Sequence, residues 1–140
     1  MHSEPIGMPG PAFSKEHFEK LLATATNLNI NFIRAAHYPY TRHLAKVADQ
    51  IGLMVWEEIP VYWNIDWENP VTLEIAKAQI NRLVQRDQNR ASVVVWSVAN
   101  ETPFSIPRMT LLDALLSEIN LNDSSRLTTA ALLSGNEEQF

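Results

Sequence analysis

An amide and a carboxyl side chain, Asn100 and Glu101, directly follow a strongly apolar segment, residues 92–99. The run of β-branched valines in that segment is typical of a strand buried on both faces of a parallel sheet. In α/β barrels, catalytic residues stand at the carboxyl ends of such strands. Two interpretations stay open at this point: the pair takes part in chemistry, or the strand simply ends in water.

The side chain of Glu101 could serve as a general acid/base, and that of Asn100 could hydrogen-bond a ligand hydroxyl. A carboxyl group in that role needs an apolar surrounding that raises its pKa, and a fixed orientation. We expect Trp96 and the valines beside it to supply the apolar surrounding.

Arg34 and His37 lie near the end of an earlier predicted strand and are also candidates for the site. An arginine is costly to bury without a partner, so Arg34 could equally form a structural salt bridge to Glu57 or Glu58. His37 could be a hydrogen-bonded core histidine. Glu57 and Glu58 are adjacent on a strand, so one should face inward and the other outward.

Three aromatic residues, Tyr62, Trp63 and Trp67, follow the strand that contains the two glutamates. Aromatic faces pack well against the C–H surface of a sugar ring, so these residues could form a sugar-stacking wall. The alternative is a hydrophobic plug over the end of the sheet.

Strand and helix patterns alternate along the chain, which predicts parallel strands, right-handed crossovers and outer helices. Helices are predicted over 14–28, 41–51, 69–87 and 108–120, and strands over 30–37, 53–59, 92–101 and 127–133. Ser14 and Asn69 are expected as N-caps and Gly52 as a carboxyl cap. On the first helix the apolar stripe is formed by Phe18, Leu21, Leu22, Ala25 and Leu28.

Either an open doubly wound sheet or part of a (β/α)8 barrel fits this alternation. None of the four glycines forms a GxGxxG turn or a phosphate-binding loop, which disfavours a nucleotide-binding sheet. Polar and aromatic residues instead follow each strand and would converge on one rim. This favours the second architecture, an α/β fold that forms part of a TIM barrel. A complete barrel takes about 250 residues, so the chain supplies roughly half.

Composition excludes several classes of function. The chain has 140 residues, a formal net charge of −5 and no cysteine. The acidic balance argues against nucleic-acid binding, and no apolar run is long enough to span a membrane. The histidines lack metal-ligand spacing, and no G-x-S-x-G nucleophile motif is present. We therefore expect no metal and no cofactor, and the sequence indicates no particular compartment.

Two long motifs resemble the patterns of glycoside hydrolase family 2, which includes β-galactosidases, β-glucuronidases and β-mannosidases. The first is NFIRAAHYP at 31–39 followed by ADQIGLMVWEE at 48–58, and the second is DQNRASVVVWSVANE at 87–101. The resemblance extends from about residue 2 to residue 133. It implies a retaining glycosidase with a (β/α)8 catalytic domain and a carbohydrate substrate, and it does not distinguish galactoside, glucuronide and mannoside.

The resemblance also implies roles for individual residues. Glu101 matches the proton donor at the end of the fourth barrel strand, and Asn100 matches the residue that binds the sugar 2-hydroxyl. Arg34 matches the arginine that orients the nucleophile carboxylate, and His37 matches a substrate-contacting histidine. Trp63, from the aromatic loop, is added as a substrate-binding candidate.

In this family the nucleophilic glutamate follows the seventh strand, whereas the chain reaches only the fifth. Residues 1–135 are therefore expected to be the N-terminal half of a catalytic domain, from strand one or two onward, with 2–4 as the tail of a clipped first strand. Residues 136–140 are expected to be a frayed or artificial end. The partners would be the rest of the barrel and the family's β-sandwich domains. The alternative is a catalytically inactive half-barrel with only a structural or association role.

Overall fold

In the computed structural model, which describes residues 14–133, helices and strands alternate as the sequence predicts. In chain order they are α1 (Lys15–Asn27), β1 (Phe32–Ala35), α2 (Arg42–Ile51), β2 (Met54–Glu58), α3 (Pro70–Asp87), β3 (Val93–Thr102), α4 (Ile106–Asn122) and β4 (Leu127–Leu132). The strand tail predicted at 2–4, the end predicted at 136–140 and the domain limits lie outside the described residues.

The four strands form one parallel sheet in the order β1-β2-β3-β4. Crossovers between parallel strands of one sheet are almost always right-handed, so four strands in sequence order place their helices on one face of the sheet. A doubly wound sheet reverses its strand order and has helices on both faces. The arrangement is therefore a sector of a barrel, with the carboxyl ends of the strands along one rim.

The helix boundaries follow from local capping. The Ser14 side chain accepts a hydrogen bond from the backbone N–H of His17, and that of Asn69 accepts one from Val71. Gly52 ends α2 with a φ of 71°, a left-handed conformation that suits glycine. The fourth helix begins two residues earlier than predicted, because Ser105 caps it.

Two apolar clusters lie between the sheet and the helices. One joins α1 and α2 to the first two strands, and the other joins α3 and α4 to β3. The predicted stripe of α1 is confirmed for Phe18, Leu22 and Ala25, which are buried. It is wrong for Leu28, which is 66% exposed because it is the C-cap and no longer follows the helical repeat.

A buried carboxylate, Asp123, ties the start of β4 to β3. It accepts hydrogen bonds from the indole of Trp96 at 2.9 Å and from Arg126 at 2.5 Å, while Arg126 also donates to the Val93 carbonyl. Burial alone would raise the pKa of Asp123, but hydrogen bonds from Ser125, Trp96 and Arg126 outweigh it and lower the pKa well below its ordinary value.

Within residues 14–133, no helix combines the length and apolar composition that crossing a bilayer requires.

Candidate active site at the carboxyl ends of the strands

Four of the residues predicted from the sequence meet in one pocket. His37, Trp63, Asn100 and Glu101 line a pocket of about 390 Å³ at the carboxyl ends of the strands, together with Tyr62 and Tyr38. They come from the segments that follow β1 and β2 and from the end of β3. Because neighbouring parallel strands end at the same rim, residues up to 64 positions apart in the chain become neighbours.

The aromatic loop is fastened to the end of β3 by backbone hydrogen bonds. The N–H of Asn100 donates to the Val61 carbonyl at 2.8 Å, and the N–H of Trp63 donates to the Asn100 carbonyl at 3.2 Å. The Trp63 indole N–H then donates to Oε2 of Glu101 at 3.2 Å. The loop therefore sets the position of an aromatic ring beside the exposed carboxyl group of Glu101.

Three residues of this pocket have a left-handed backbone conformation. The φ angles of His37, Trp63 and Glu101 are 76°, 56° and 49°. Among residues 14–133 the only other non-glycine residue with positive φ is Asn29. Such conformations cost about 1 kcal/mol or more each, and they cluster where side chains must be aimed for function.

Arg34 lies below the pocket and binds two of its neighbours. Its Nε and Nη2 donate to the two carboxyl oxygens of Glu58 at 2.9 and 3.2 Å, and Nη2 also donates to Oδ1 of Asn100. The salt bridge considered from the sequence is therefore present and goes to Glu58. The guanidinium of Arg34 also lies over the ring of Trp56, 4.9 Å from the ring centroid.

Asn100 is buried but retains an uncommitted donor. The residue is 2% exposed, and its Oδ1 accepts from Arg34. Its Nδ2 has no hydrogen-bond partner among residues 14–133. Buried polar groups are nearly always paired, so an orphaned amide donor in a pocket lining is suited to a ligand oxygen.

Sequence reasoning missed the importance of Glu58, which is fully buried. Besides Arg34, its carboxylate accepts hydrogen bonds from the indole of Trp56 and the backbone N–H of His37. The signal was alternation: Arg34 pairs with Trp56 in the sheet register, so position 58 lies on the same face. That signal depends on the register of β1 and β2, which is observed in the structure and was not predicted from the sequence.

Glu57 faces the opposite side, toward α3, as alternation predicts. It is also buried, and Nη2 of Arg86 lies 3.5 Å from its Oε1. Burial, with the nearby charge of Asp87, raises the pKa of Glu57 to about 8.

The structure separates Trp67 from the other two aromatic residues of the loop, and it corrects the expected place of Trp96. Trp67 does not join the wall: it lines a separate groove with Ile106, and its indole donates to Asn64. Trp96 is not beside Glu101, because its side chain packs among the helices and binds Asp123. The ring next to Glu101 is that of Trp63. No group of three or more potential metal-ligating side chains occurs in the described part of the chain.

Comparison with known proteins gives consistent matches. Residues 3–132 match the family model described as glycosyl hydrolases family 2, TIM barrel domain. A β-glucuronidase of Canis lupus familiaris is 35% identical over 106 residues, covering 73% of this chain and 16% of the relative. A β-galactosidase of Thermoanaerobacterium thermosulfurigenes is 32% identical over 96 residues, covering 66% of this chain and 12% of the relative.

Among solved structures, a putative β-galactosidase from Bacteroides fragilis superposes with a TM-score of 0.86 at 26% identity, covering 93% of this chain and 19% of that one. A β-glucuronidase from an uncultured Clostridium gives a TM-score of 0.81 at 26% identity, with coverages of 89% and 23%. The chain thus spans less than a quarter of each of these proteins. With the four sequential parallel strands, these matches confirm the prediction of a partial TIM barrel.

Proposed function

Because the chain belongs to glycosyl hydrolases family 2, we propose that the protein containing it is a retaining β-glycosidase with Glu101 as general acid/base. The observation that supports this most directly is the shared pocket of Glu101, Asn100, His37 and Trp63 at the carboxyl ends of the strands. Among residues 14–133, Glu101 is the one carboxyl group in the lining of that pocket.

Retaining hydrolysis needs a second carboxyl group, about 5–5.5 Å from the first, that attacks the anomeric carbon. In this proposal the nucleophile is a glutamate after the seventh barrel strand, outside this chain. Glu101 protonates the glycosidic oxygen as the bond breaks, and the sugar becomes an ester of the nucleophile. Glu101 then takes a proton from the water that hydrolyses the ester.

The other pocket residues hold the sugar in this proposal. The free Nδ2 of Asn100 donates to the sugar 2-hydroxyl, and His37 contacts the substrate. The exposed ring of Trp63 packs against the C–H face of the sugar. Arg34 orients the nucleophile carboxylate from its position beside Asn100. The substrate class is a β-galactoside, β-glucuronide or β-mannoside.

The acid/base assignment can be tested with Glu101→Gln in the full-length protein. An activated aryl glycoside has a leaving group that needs little protonation, so the first step should persist while deglycosylation stalls. The expected result is a burst of one equivalent of phenol followed by turnover at least about 100-fold slower. Azide needs no base to attack the ester, so it should restore turnover and yield a glycosyl azide.

The matched control is Glu68→Gln, which removes another exposed carboxyl group near the same rim. It should keep the wild-type rate. Unchanged turnover in the Glu101→Gln protein would remove Glu101 from the mechanism.

We propose further that residues 1–135 are the N-terminal half of the catalytic domain and that the 140-residue chain alone does not hydrolyse glycosides. Apolar side chains at the start of the strands are exposed, including Phe32 at 38%, Met54 at 40% and Leu127 at 71%. A closed barrel would cover them. Turnover of an aryl β-galactoside or β-glucuronide by the purified 140-residue chain would refute this.

A further inference from the structure

Glu58 is the centre of the hydrogen bonds beneath the pocket. Its carboxylate is fully buried and accepts four donors: two from Arg34, one from the Trp56 indole and one from the backbone of His37. The ring Nδ1 of His37 lies 3.9 Å away. These donors come from β1, from the turn after it and from β2, so one carboxylate joins both strand ends.

The contacts continue from Glu58 to Asn100 through the guanidinium of Arg34. Nη2 of Arg34 donates both to Glu58 and to Oδ1 of Asn100. A guanidinium only donates hydrogen bonds, so it selects the oxygen end of the Asn100 amide. The Nδ2 end is thereby left as the uncommitted donor. A reversed amide would put two donors against each other.

We propose that Glu58 is a positioning residue: by holding Arg34, it fixes which end of the Asn100 amide faces the substrate, and by holding the His37 backbone it fixes the turn beside it. This inference rests on the proposed function, because it assigns the Asn100 donor to the sugar 2-hydroxyl. Glu58 itself touches no substrate.

The effect of losing Glu58 should depend on the substrate. Hydrogen bonds to the sugar 2-hydroxyl strengthen in the transition state of glycoside hydrolysis. A misplaced Asn100 amide therefore lowers kcat/KM for a substrate that has this hydroxyl. A 2-deoxy substrate has no hydroxyl to lose contact with, so it should be much less affected. General damage to the fold would affect both substrates equally.

Glu57 provides a matched control, because it is the adjacent glutamate, is equally buried and faces α3 instead of the pocket. The experiment compares wild type, Glu58→Gln and Glu57→Gln in the full-length protein. The substrates are the para-nitrophenyl β-glycoside hydrolysed best by wild type and its 2-deoxy analogue. Arg34→Lys is a second variant: it keeps a positive charge but cannot bridge Glu58 and Asn100 with a planar fork.

We expect Glu58→Gln to lower kcat/KM at least about tenfold more for the 2-hydroxy substrate than for the 2-deoxy substrate, because any loss that acts through Arg34 and the nucleophile falls on both substrates. Glu57→Gln should keep both values within about twofold. If Glu58→Gln does not fold, Arg34→Lys must lower kcat/KM more for the 2-hydroxy substrate than for the 2-deoxy substrate, because the part of its loss that acts through the nucleophile falls on both substrates. Equal losses on both substrates in the folded variants, or no loss, would overturn the inference.

The outcome is separable from that of the proposed function. If Glu101→Gln stalls at deglycosylation while Glu58→Gln shows no substrate selectivity, the inference fails and the acid/base assignment stands. If Glu101→Gln leaves turnover unchanged, the proposed function fails, and the inference fails with it.

Discussion

Replacing Glu57 by glutamine should stabilise the protein above about pH 5, and the gain should grow as the pH rises. Both carboxyl oxygens of Glu57 lack a hydrogen-bond partner among residues 14–133. Within the described residues the cation beside Glu57 is Arg86, and it is shared: its Nη2 lies 3.5 Å from Glu57 but 2.5 Å from Asp87, and its Nη1 donates to the Tyr40 carbonyl. Glutamine resembles the protonated acid in shape and can donate to Asp87.

The magnitude follows from the pKa of Glu57 in the two states. In the folded protein burial, and to a smaller extent the charge of Asp87, raise this pKa from its ordinary 4.5 to about 8. Between these values the folded state binds more protons than the unfolded state, so the free energy of unfolding falls as pH rises. The slope is about 1.4 kcal/mol per pH unit, and the loss reaches about 4 kcal/mol near pH 8. Glutamine has no proton to lose and escapes this loss.

Hydrogen exchange in the full-length protein gives a local measurement, because opening of β2 exposes Glu57 to water. The exchange of a peptide covering 53–59 is compared between wild type and Glu57→Gln at each pH from 5 to 8. Comparison at equal pH cancels the intrinsic exchange rate. The ratio of the wild-type exchange rate to the Glu57→Gln exchange rate should grow by up to about tenfold for each unit by which the pH rises. Glu74→Gln removes an exposed carboxyl group from α3 and should give a ratio that does not change with pH.

A ratio for Glu57→Gln that is constant across this range, or that grows toward acid, would refute the reasoning. It would mean that Glu57 is ionised in the folded protein, with Arg86 as its effective partner.

Three further predictions concern other contacts. Asp123→Asn should destabilise the protein by about 3 kcal/mol at neutral pH. Because the pKa of Asp123 is lowered in the folded protein, the stabilisation that its carboxylate provides is lost in acid, so the melting temperatures of variant and wild type should approach each other as the pH falls below about 4. Trp63→Phe keeps a ring but loses the N–H that donates to Glu101, so kcat/KM should fall about fivefold, and Trp63→Ala should cost more. Asn69→Ala removes the cap that accepts from Val71, and calorimetry should show a loss of about 1 kcal/mol.

The elements that the sequence predicts correctly are those decided by neighbouring residues. Ser14 and Asn69 cap helices because their side chains reach a backbone N–H two or three positions ahead. Gly52 ends a helix because only glycine adopts a positive φ without cost. Leu28 lies beyond the end of α1, where the helical spacing of apolar residues no longer holds, and its predicted burial was wrong.

The site was also partly predictable, because the geometry of a parallel sheet is general. Asn100 and Glu101 follow an apolar strand, and a parallel sheet brings the carboxyl ends of its strands together, so their convergence with His37 could be expected. The roles of these residues stay predictions, which the Glu101→Gln, Glu58→Gln and Trp63→Phe variants test.

By itself, the sequence determined the alternation of strand and helix, the capped ends and the presence of chemically competent residues after the strands, since each depends on residues a few positions apart. Only the tertiary structure decided that Arg34 binds Glu58, 24 positions away, and Asn100, 66 positions away. It also decided that Glu57 meets Asp87 and that Trp63, not Trp96, lies beside Glu101. The physical reason is register: which side chains face each other across two strands depends on how the strands align, and a shift of one residue would turn every side chain of a strand to the other face.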